Sequence, residues 1–430
     1  MTVTTLYNRL NWLGNYPKHW EVTRLCNVFK ERTEIVSDKD FKPLSVTMKG
    51  ILPQLENIAL TDNGDNRKKV CVGDFVINSR SDRKGSGGTS KYEGSVSVIS
   101  NVLKANENVF NSLYTHYLFT NKLFQEEFYF HGKGIVADMW STKYQNMRNI
   151  VIPVPPIEEQ NQIVRYIKAK EEKISHFISK KQRFIELLKE QRQSIVTKSI
   201  TKGINNNVTY KESKIEWLGK IPNHWKLVKL KYVGESFIGL TYSPNDLADE
   251  GKGILVLRSS NIQNGKFTLD DNVYVNKEIS KKLITKKGDI LLCSRNGSAE
   301  LIGKNILIDE NSEGNTFGAF MTIFRSKINH YLYYFFNSNI FKSQTSLFAT
   351  STINQLTNFI LSNMKIAYPT DINEQKEIIE YIKIETATIN KAIVKAEREI
   401  ELIKEYKEAM IAEAVMGKIN INKSTSYYDK

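Results

Sequence analysis

Few residues in this chain have the types and spacing that chemistry requires. Asp371-Ile372-Asn373-Glu374-Gln375-Lys376 contains the D-x-x-E-x-K pattern with which nucleases gather a metal ion. Metal-bound carboxylates need a second converging element. The same residues also spell a helix start, with Asp371 as N-cap and Glu374 three residues on completing a capping box, and that is the reading preferred here. Lys84-Gly85-Ser86-Gly87-Gly88-Thr89 is glycine-rich but lacks the GxxxxGK[ST] spacing of a P-loop. With Arg80, Arg83, Lys84 and Lys91 around it, it reads either as a surface turn or as a loop following a DNA backbone. Cys26, Cys71 and Cys293 are scattered, without metal-ligand spacing, and imply a reduced, cytoplasmic protein. No Gly-x-Ser-x-Gly elbow, HExxH pair or [ND]PP[YF] motif is present. Catalysis, a metal and a cofactor in this chain are therefore not expected.

Reading chemistry is better represented. Between Leu257 and Lys266 the chain concentrates Arg258, Ser259, Ser260, Asn261, Gln263, Asn264 and Lys266, whose side chains suit base edges and phosphates. Ser79-Arg80 and Ser294-Arg295-Asn296 add two further polar clusters, each closing an apolar run. The competing reading is that all of these are ordinary turn residues. A net charge of +14 favours a polyanion partner. No apolar run approaches the ~18 residues of a membrane span.

The elements that would position these residues are duplicated. Trp12-Leu13-Gly14-Asn15-Tyr16-Pro17-Lys18-His19-Trp20 returns 205 residues later as Trp217-Leu218-Gly219-Lys220-Ile221-Pro222-Asn223-His224-Trp225, a WLGxxPxHW frame. His19 and His224 are expected to bridge a turn between the two indoles. Gly73-Asp74 through Ser79-Arg80 returns as Gly288-Asp289 through Ser294-Arg295, and Glu159-Gln160 as Glu374-Gln375. Each copy ends in a stretch free of Gly and Pro, Ile157–Lys202 and Thr370–Met416, stopped by Gly203 and Gly417. Both are amphipathic, the first a helix of about 45 residues and roughly 65 Å at 1.5 Å per residue. Such a rod must cover its apolar stripe, so the two are expected to pair antiparallel through Ile167, Ile174, Ile178, Leu188 and Ile195 on one and Ile382, Ile389, Ile393, Ile403 and Met410 on the other. Between frame and rod, Ile254–Leu257, Ile290–Cys293 and Ile306–Ile308 read as buried strands, and Ser95–Ser100 as a half-buried one. Aromatics spaced along Tyr114–Phe128 and Tyr331–Phe348 read as core-facing helices.

The whole chain resembles the specificity subunits of type I restriction–modification systems. The resemblance rests on the two WLGxxPxHW frames, the two GD…SR segments and Pro153-Val154-Pro155-Pro156-Ile157-Glu158-Glu159-Gln160, which opens the first rod. The second copy departs from that motif in keeping the single Pro369. The resemblance implies an α+β chain in which two mixed α/β target-recognition domains are spaced by two long antiparallel helices, with a pseudo-two-fold internal duplication. Residues 1–152 and 206–365 would be the recognition domains, 153–205 and 366–424 the helical segments, and 425–430 a tail. It implies that each domain reads half of a bipartite site in double-stranded DNA and that the helices dock two methyltransferase subunits, with restriction subunits joining through them. S-adenosylmethionine, ATP and Mg²⁺ would then be held by those partners. The rival expectation is a basic helical scaffold that binds other proteins without reading DNA.

Overall fold

The computed structural model describes Trp12 and residues 14–55, 64–134, 140–263, 265–348 and 355–419. Leu13 of the first frame, Asn264 and the tail 425–430 lie outside the described residues. The chain forms two compact units, Met1–Lys181 with Arg398–Lys430, and Gln182–Glu397. Each long helix is thus shared: the first begins in unit 1 and ends in unit 2, and the second begins in unit 2 and ends in unit 1.

Both units are built on the same four-stranded antiparallel sheet. In unit 1 the order is Phe29–Glu31, Ser100–Ala105, Phe75–Asn78, Gly87–Thr89. In unit 2 it is Glu235–Ile238, Met321–Arg325, Ile290–Cys293, Asn305–Leu307. The strand that follows each Gly-Asp is third in both, and its apolar residues are buried on both faces, which explains a continuous rather than alternating run. Gly73 and Gly288 turn the chain into it at φ +91° and +83°, a left-handed conformation open to glycine. The aspartate that follows is buried and grips an arginine through both oxygens. Asp74 holds Arg32 at 2.7 and 3.1 Å, and Asp289 holds Arg325 at 2.8 and 2.6 Å. The guanidinium pKa rises in both cases, chiefly through that hydrogen bond. Arg32 directly follows the first strand of its sheet and Arg325 ends the second strand of its own, so the pairing is kept although the donor position is not.

One face of each sheet is covered by two short helices, Ser112–Thr120 with Lys122–Phe130, and Asn329–Phe336 with Asn339–Phe348. Their buried aromatics, among them Tyr114, Phe119, Phe124 and Phe128 in unit 1 and Tyr331, Phe335, Phe336 and Phe341 in unit 2, form the cores as expected. Three expectations change. Ser95–Ser100 is not one strand: Gly94–Ser97 ends in a turn at Val98 and Ile99, and Ser100 starts a strand of a different sheet. The glycine-rich stretch from Lys84 is only in part the expected surface turn, which is confined to Lys84 and Gly85. Gly87–Thr89 is an edge strand, and a Cβ on Gly87 would stand 2.9 Å from the Val76 carbonyl oxygen, so the glycine serves close packing. The segment 366–424 opens on the strand Lys365–Tyr368, and its helix runs only over Ile372–Val415.

The long helices pair antiparallel within each unit. Glu171 meets Lys407 at 2.9 Å and Lys181 meets Glu399 at 2.5 Å in unit 1, while Arg192 donates to Asn390 at 2.9 Å in unit 2. Of the expected seam residues, Ile167, Ile174, Ile382, Ile389, Ile393 and Met410 are buried, and Ile178, Leu188, Ile195 and Ile403 are half-buried.

The two repeated motifs prove to be halves of one joint. The strand after each tryptophan frame pairs with the strand before a long helix, Glu21–Arg24 with Val151–Val154 and Lys226–Lys229 with Lys365–Tyr368. His19 reaches Glu159 at 2.8 Å, and His224 reaches Glu374 at 3.0 Å. The histidines therefore fasten the frame to the first turn of a helix instead of bridging two indoles. Glu374 also accepts the Trp225 indole N–H at 2.8 Å, so it completes this joint and not the expected capping box. Asp371 caps as expected, accepting from the Asn373 N–H at 2.9 Å. Gln160 and Gln375 each donate at 2.8 Å to a proline carbonyl just ahead of the helix, Pro155 and Pro369.

The other end of the joint is a helix C-terminus. Tyr331 donates to the Ile200 carbonyl at 3.1 Å and Tyr114 to the Val415 carbonyl at 2.9 Å, satisfying last-turn carbonyls that lack an intrahelical partner. Burial pushes both tyrosines' pKa well up, so both stay donors. Gly203 and Gly417 end the helices at φ +71° and +69°.

Candidate nucleic-acid interface

The Gly-Asp strand of each unit ends on the predicted Ser-Arg pair, and the structure divides the labour within it. Ser79 and Ser294 are buried. Ser79 Oγ accepts from Ser141 Oγ at 2.9 Å, and Ser294 Oγ donates to the Phe320 carbonyl at 3.0 Å. Arg80 and Arg295 are exposed. Each forms an isolated bridge with the segment that leads back toward the long helix, Arg80 with Ser141 and Arg295 with Gln355. The same bonds repeat one residue on: the Thr142 N–H donates to Ser79 O at 2.9 Å, and the Leu356 N–H to Ser294 O at 2.7 Å. An exposed arginine thus projects from the same place in both folds, on a backbone tied from two sides.

The surroundings of that arginine differ. In unit 1 a cleft of about 540 Å³ is lined by Arg80, Lys68, Lys143, Asn101, Gln145 and the turn residues Val98 and Ile99, among others. Lys68 is already paired with Glu31 at 2.7 Å. In unit 2 a cleft of about 510 Å³ lies between Leu240–Tyr242, Arg258–Ser260 and the turn Gly318–Met321. There Arg295 lies over the Phe320 ring, 5.3 Å from its centroid. Arg258 is oriented by Asp271, 2.8 Å away, while its Nε is buried and finds no partner among the described residues.

The other predicted contact residues fall into distinct places. Ser260, Gln263, Lys266, Arg83, Lys84 and Lys91 are exposed, and Ser259 and Asn296 are half-buried. Lys84 is engaged by Glu126 at 2.6 Å. Asn296 donates to Ser259 Oγ at 3.4 Å, which joins two segments 37 residues apart at the cleft. Lys266 lines a separate cleft with Leu255 and Phe267. Asn261 does not offer its amide to solvent. It is buried, accepts the Arg258 N–H at 2.9 Å and donates to the Thr268 carbonyl at 3.0 Å, so it shapes the loop that presents Arg258. Asn264 is among the residues not described. The turn residues Val98, Ile99 and Phe320 were not legible as site residues, because nothing in the two copies aligns there. Asp74 and Asp289 carried a signal, the recurrent Gly-Asp, whose meaning as a buried ion pair only the structure supplies.

Among the described residues no cluster of His, Cys, Asp or Glu could hold a metal ion. No helix among them is long and apolar enough to cross a membrane.

Comparisons with known proteins follow the same outline. Residues 222–401 match the family model described as the type I restriction modification DNA specificity domain. Over 94% of both chains, the sequence is 26% identical to the type I restriction enzyme MjaVIII specificity subunit of Methanocaldococcus jannaschii. It is 27% identical to the EcoKI specificity subunit of Escherichia coli strain K12 over 210 residues, 47% of this chain and 44% of that one. A chain in a solved structure concerned with complex assembly and conformational transition of the type I R-M system superposes with a TM-score of 0.67. The two are 16% identical, covering 94% of this chain and all of that one. In sequence, in the matched domain and in fold, the chain is similar to the specificity subunits of type I restriction–modification systems.

Proposed function

We propose that the chain is the sequence-reading, non-catalytic subunit of a type I restriction–modification complex, and that each unit reads one half of a bipartite asymmetric site in double-stranded DNA. The observation that carries this reading is the arginine pair. Arg80 and Arg295 project from one place in a duplicated fold while the residues around them differ, as two readers of different half-sites require. Arginine is well suited to the task, since its fork matches guanine O6 and N7 or a phosphate. The long helices would set the distance between half-sites and dock two methyltransferase subunits, with restriction subunits joining through these. S-adenosylmethionine, ATP and Mg²⁺ would be held by the partners, and the assembly would act in the cytoplasm.

The test is an exchange. Residues 21–150 are replaced by the corresponding segment of a relative, and methylated adenines are mapped genome-wide with the methyltransferase present. One half-site is expected to change and the other to persist. A change in both halves, or in neither, would refute independent reading. A purified chain that shifts no duplex DNA, alone or with the methyltransferase, would favour the scaffold instead. Inserting four residues after Glu190 adds ~6 Å of helix and is expected to lengthen the unread spacer by one or two base pairs. An unchanged spacer would remove the helices from that role.

A further inference from the structure

We propose that Phe320 is a wedge that enters a base step of the half-site read by unit 2, with Arg295 held against the ring. This rests on the half-site reading above and adds to it a side chain and a mode of contact.

Phe320 is 59% exposed, in a unit whose other phenylalanines largely form its core. It does not stand on a loose loop. Its carbonyl accepts three hydrogen bonds, from the Ser294 N–H at 2.9 Å, the Arg295 N–H at 3.0 Å and Ser294 Oγ at 3.0 Å. Below it the backbones of Gly239 and Gly318 approach so closely that a Cβ on Gly239 would stand 2.1 Å from the Gly318 oxygen. An apolar ring in water on a backbone this firmly fixed does nothing for folding that a polar residue could not do. The Arg295 guanidinium over the ring holds a positive charge beside it. On the cleft side, Arg258 Nε has no acceptor among the described residues, and Ser259 and Ser260 lie alongside.

An exposed aromatic flanked by arginines suits a protein surface as well as nucleic acid, and the chain's net charge of +14 favours the polyanion. DNA-bending proteins insert such rings between base pairs, and the cost of unstacking is offset by the contacts that the bend allows. The site also lies inside the segment 222–401 that matches a DNA specificity domain. Unit 1 carries Ile99 in the corresponding position, ahead of the strand that pairs with its Gly-Asp strand, and Ile99 is 39% exposed. Ile99 is smaller and less exposed than Phe320 and has no aromatic face, so the proposal is confined to unit 2.

The experiment uses the full chain assembled with its methyltransferase and a duplex carrying the site defined by methylation mapping. 2-Aminopurine is placed at successive positions of the half-site assigned to unit 2, away from the methylated adenine. The wild-type assembly is expected to raise fluorescence at one step. Phe320→Ala should abolish that rise and weaken binding about five- to hundred-fold, while Phe320→Trp should keep both. Thermal unfolding of each variant is followed in parallel, and because the ring is exposed the melting temperature should not move. Phe320→Ala with unchanged fluorescence and affinity would overturn the wedge and leave half-site reading intact. Loss of methyltransferase assembly with DNA contacts unchanged would overturn it in favour of a protein-docking ring. A wild-type assembly that methylates no defined sequence would sink the half-site reading, and the wedge with it.

Discussion

Units 1 and 2 share their joints and differ in their surfaces. In each, a tryptophan frame, a Glu-Gln helix start and the end of the other long helix meet, and a tyrosine hydroxyl closes the helix end. In each, a buried aspartate locks an arginine at the foot of the third strand. At the head of that strand the likeness stops: Arg80 looks over a polar cleft and Ile99, Arg295 over Phe320. The joint is constrained because it closes the core and satisfies helix termini, whereas the strand head faces solvent and is free to vary. Even the joint is not identical. Trp225 gives its indole N–H to Glu374, whereas Trp20 Nε1 has no acceptor among the described residues.

That last difference is the first place to press. Trp225→Ala and Trp20→Ala are each expected to cost about 3–5 kcal/mol, as buried aromatic truncations do. Trp225→Ala should cost more, since it also takes the indole donor from Glu374 and leaves that carboxylate to the half-exposed His224. Denaturant unfolding of both variants would check this, and equal losses would mean that the indole bond contributes nothing.

The aspartate locks come next. Asp74→Ala and Asp289→Ala each strand an arginine, and about 2–3 kcal/mol is expected. This lies below the range for fully buried pairs, because Arg32 and Arg325 keep side-chain exposures of 19% and 24% and water screens them in part. Calorimetry would show whether the two locks are equivalent although their arginines come from different positions in the two sheets.

Discrimination should then separate the units. Arg80→Ala and Arg295→Ala are expected to lose ~1–3 kcal/mol of discrimination if each contacts a base edge, each in its own half-site. Methylation mapping would read this out, and relaxation of both halves by a single variant would break the assignment. Asn261→Ala sharpens the point. Its buried amide holds the Arg258 N–H, so about 1–3 kcal/mol of stability should go with it, with unit 2's reading affected only through the displaced loop.

The smallest effect is expected at the histidine links. His19 and His224 are half or more exposed in their side chains, so replacing either by alanine should cost under about 1 kcal/mol. Glu374→Ala should exceed Glu159→Ala, because Glu374 also accepts the Trp225 indole N–H. Equal losses in unfolding experiments would remove this asymmetry between the joints.

The sequence by itself determined the periodic and repeated features. Ile157–Lys202 is a helix over the range its lack of Gly and Pro and its isoleucine spacing predict, because a long amphipathic pattern has one solution. The duplication was legible because two tryptophans, a glycine, a proline and a histidine recur in one frame, and the aromatic spacing named the cores of both units. Tertiary structure decided what pairs with what. His19 and Glu159 stand 140 residues apart, and nothing local says that a frame and a helix start form one joint. Asn261 looked like a reading residue because asparagine suits a base edge, and only packing shows its amide already committed within the loop. Phe320 carried no signal at all. A phenylalanine in a turn looks alike whether it is buried or presented, and the choice is made by Ser294 and Arg295, which fix its carbonyl across 25 or more residues of chain.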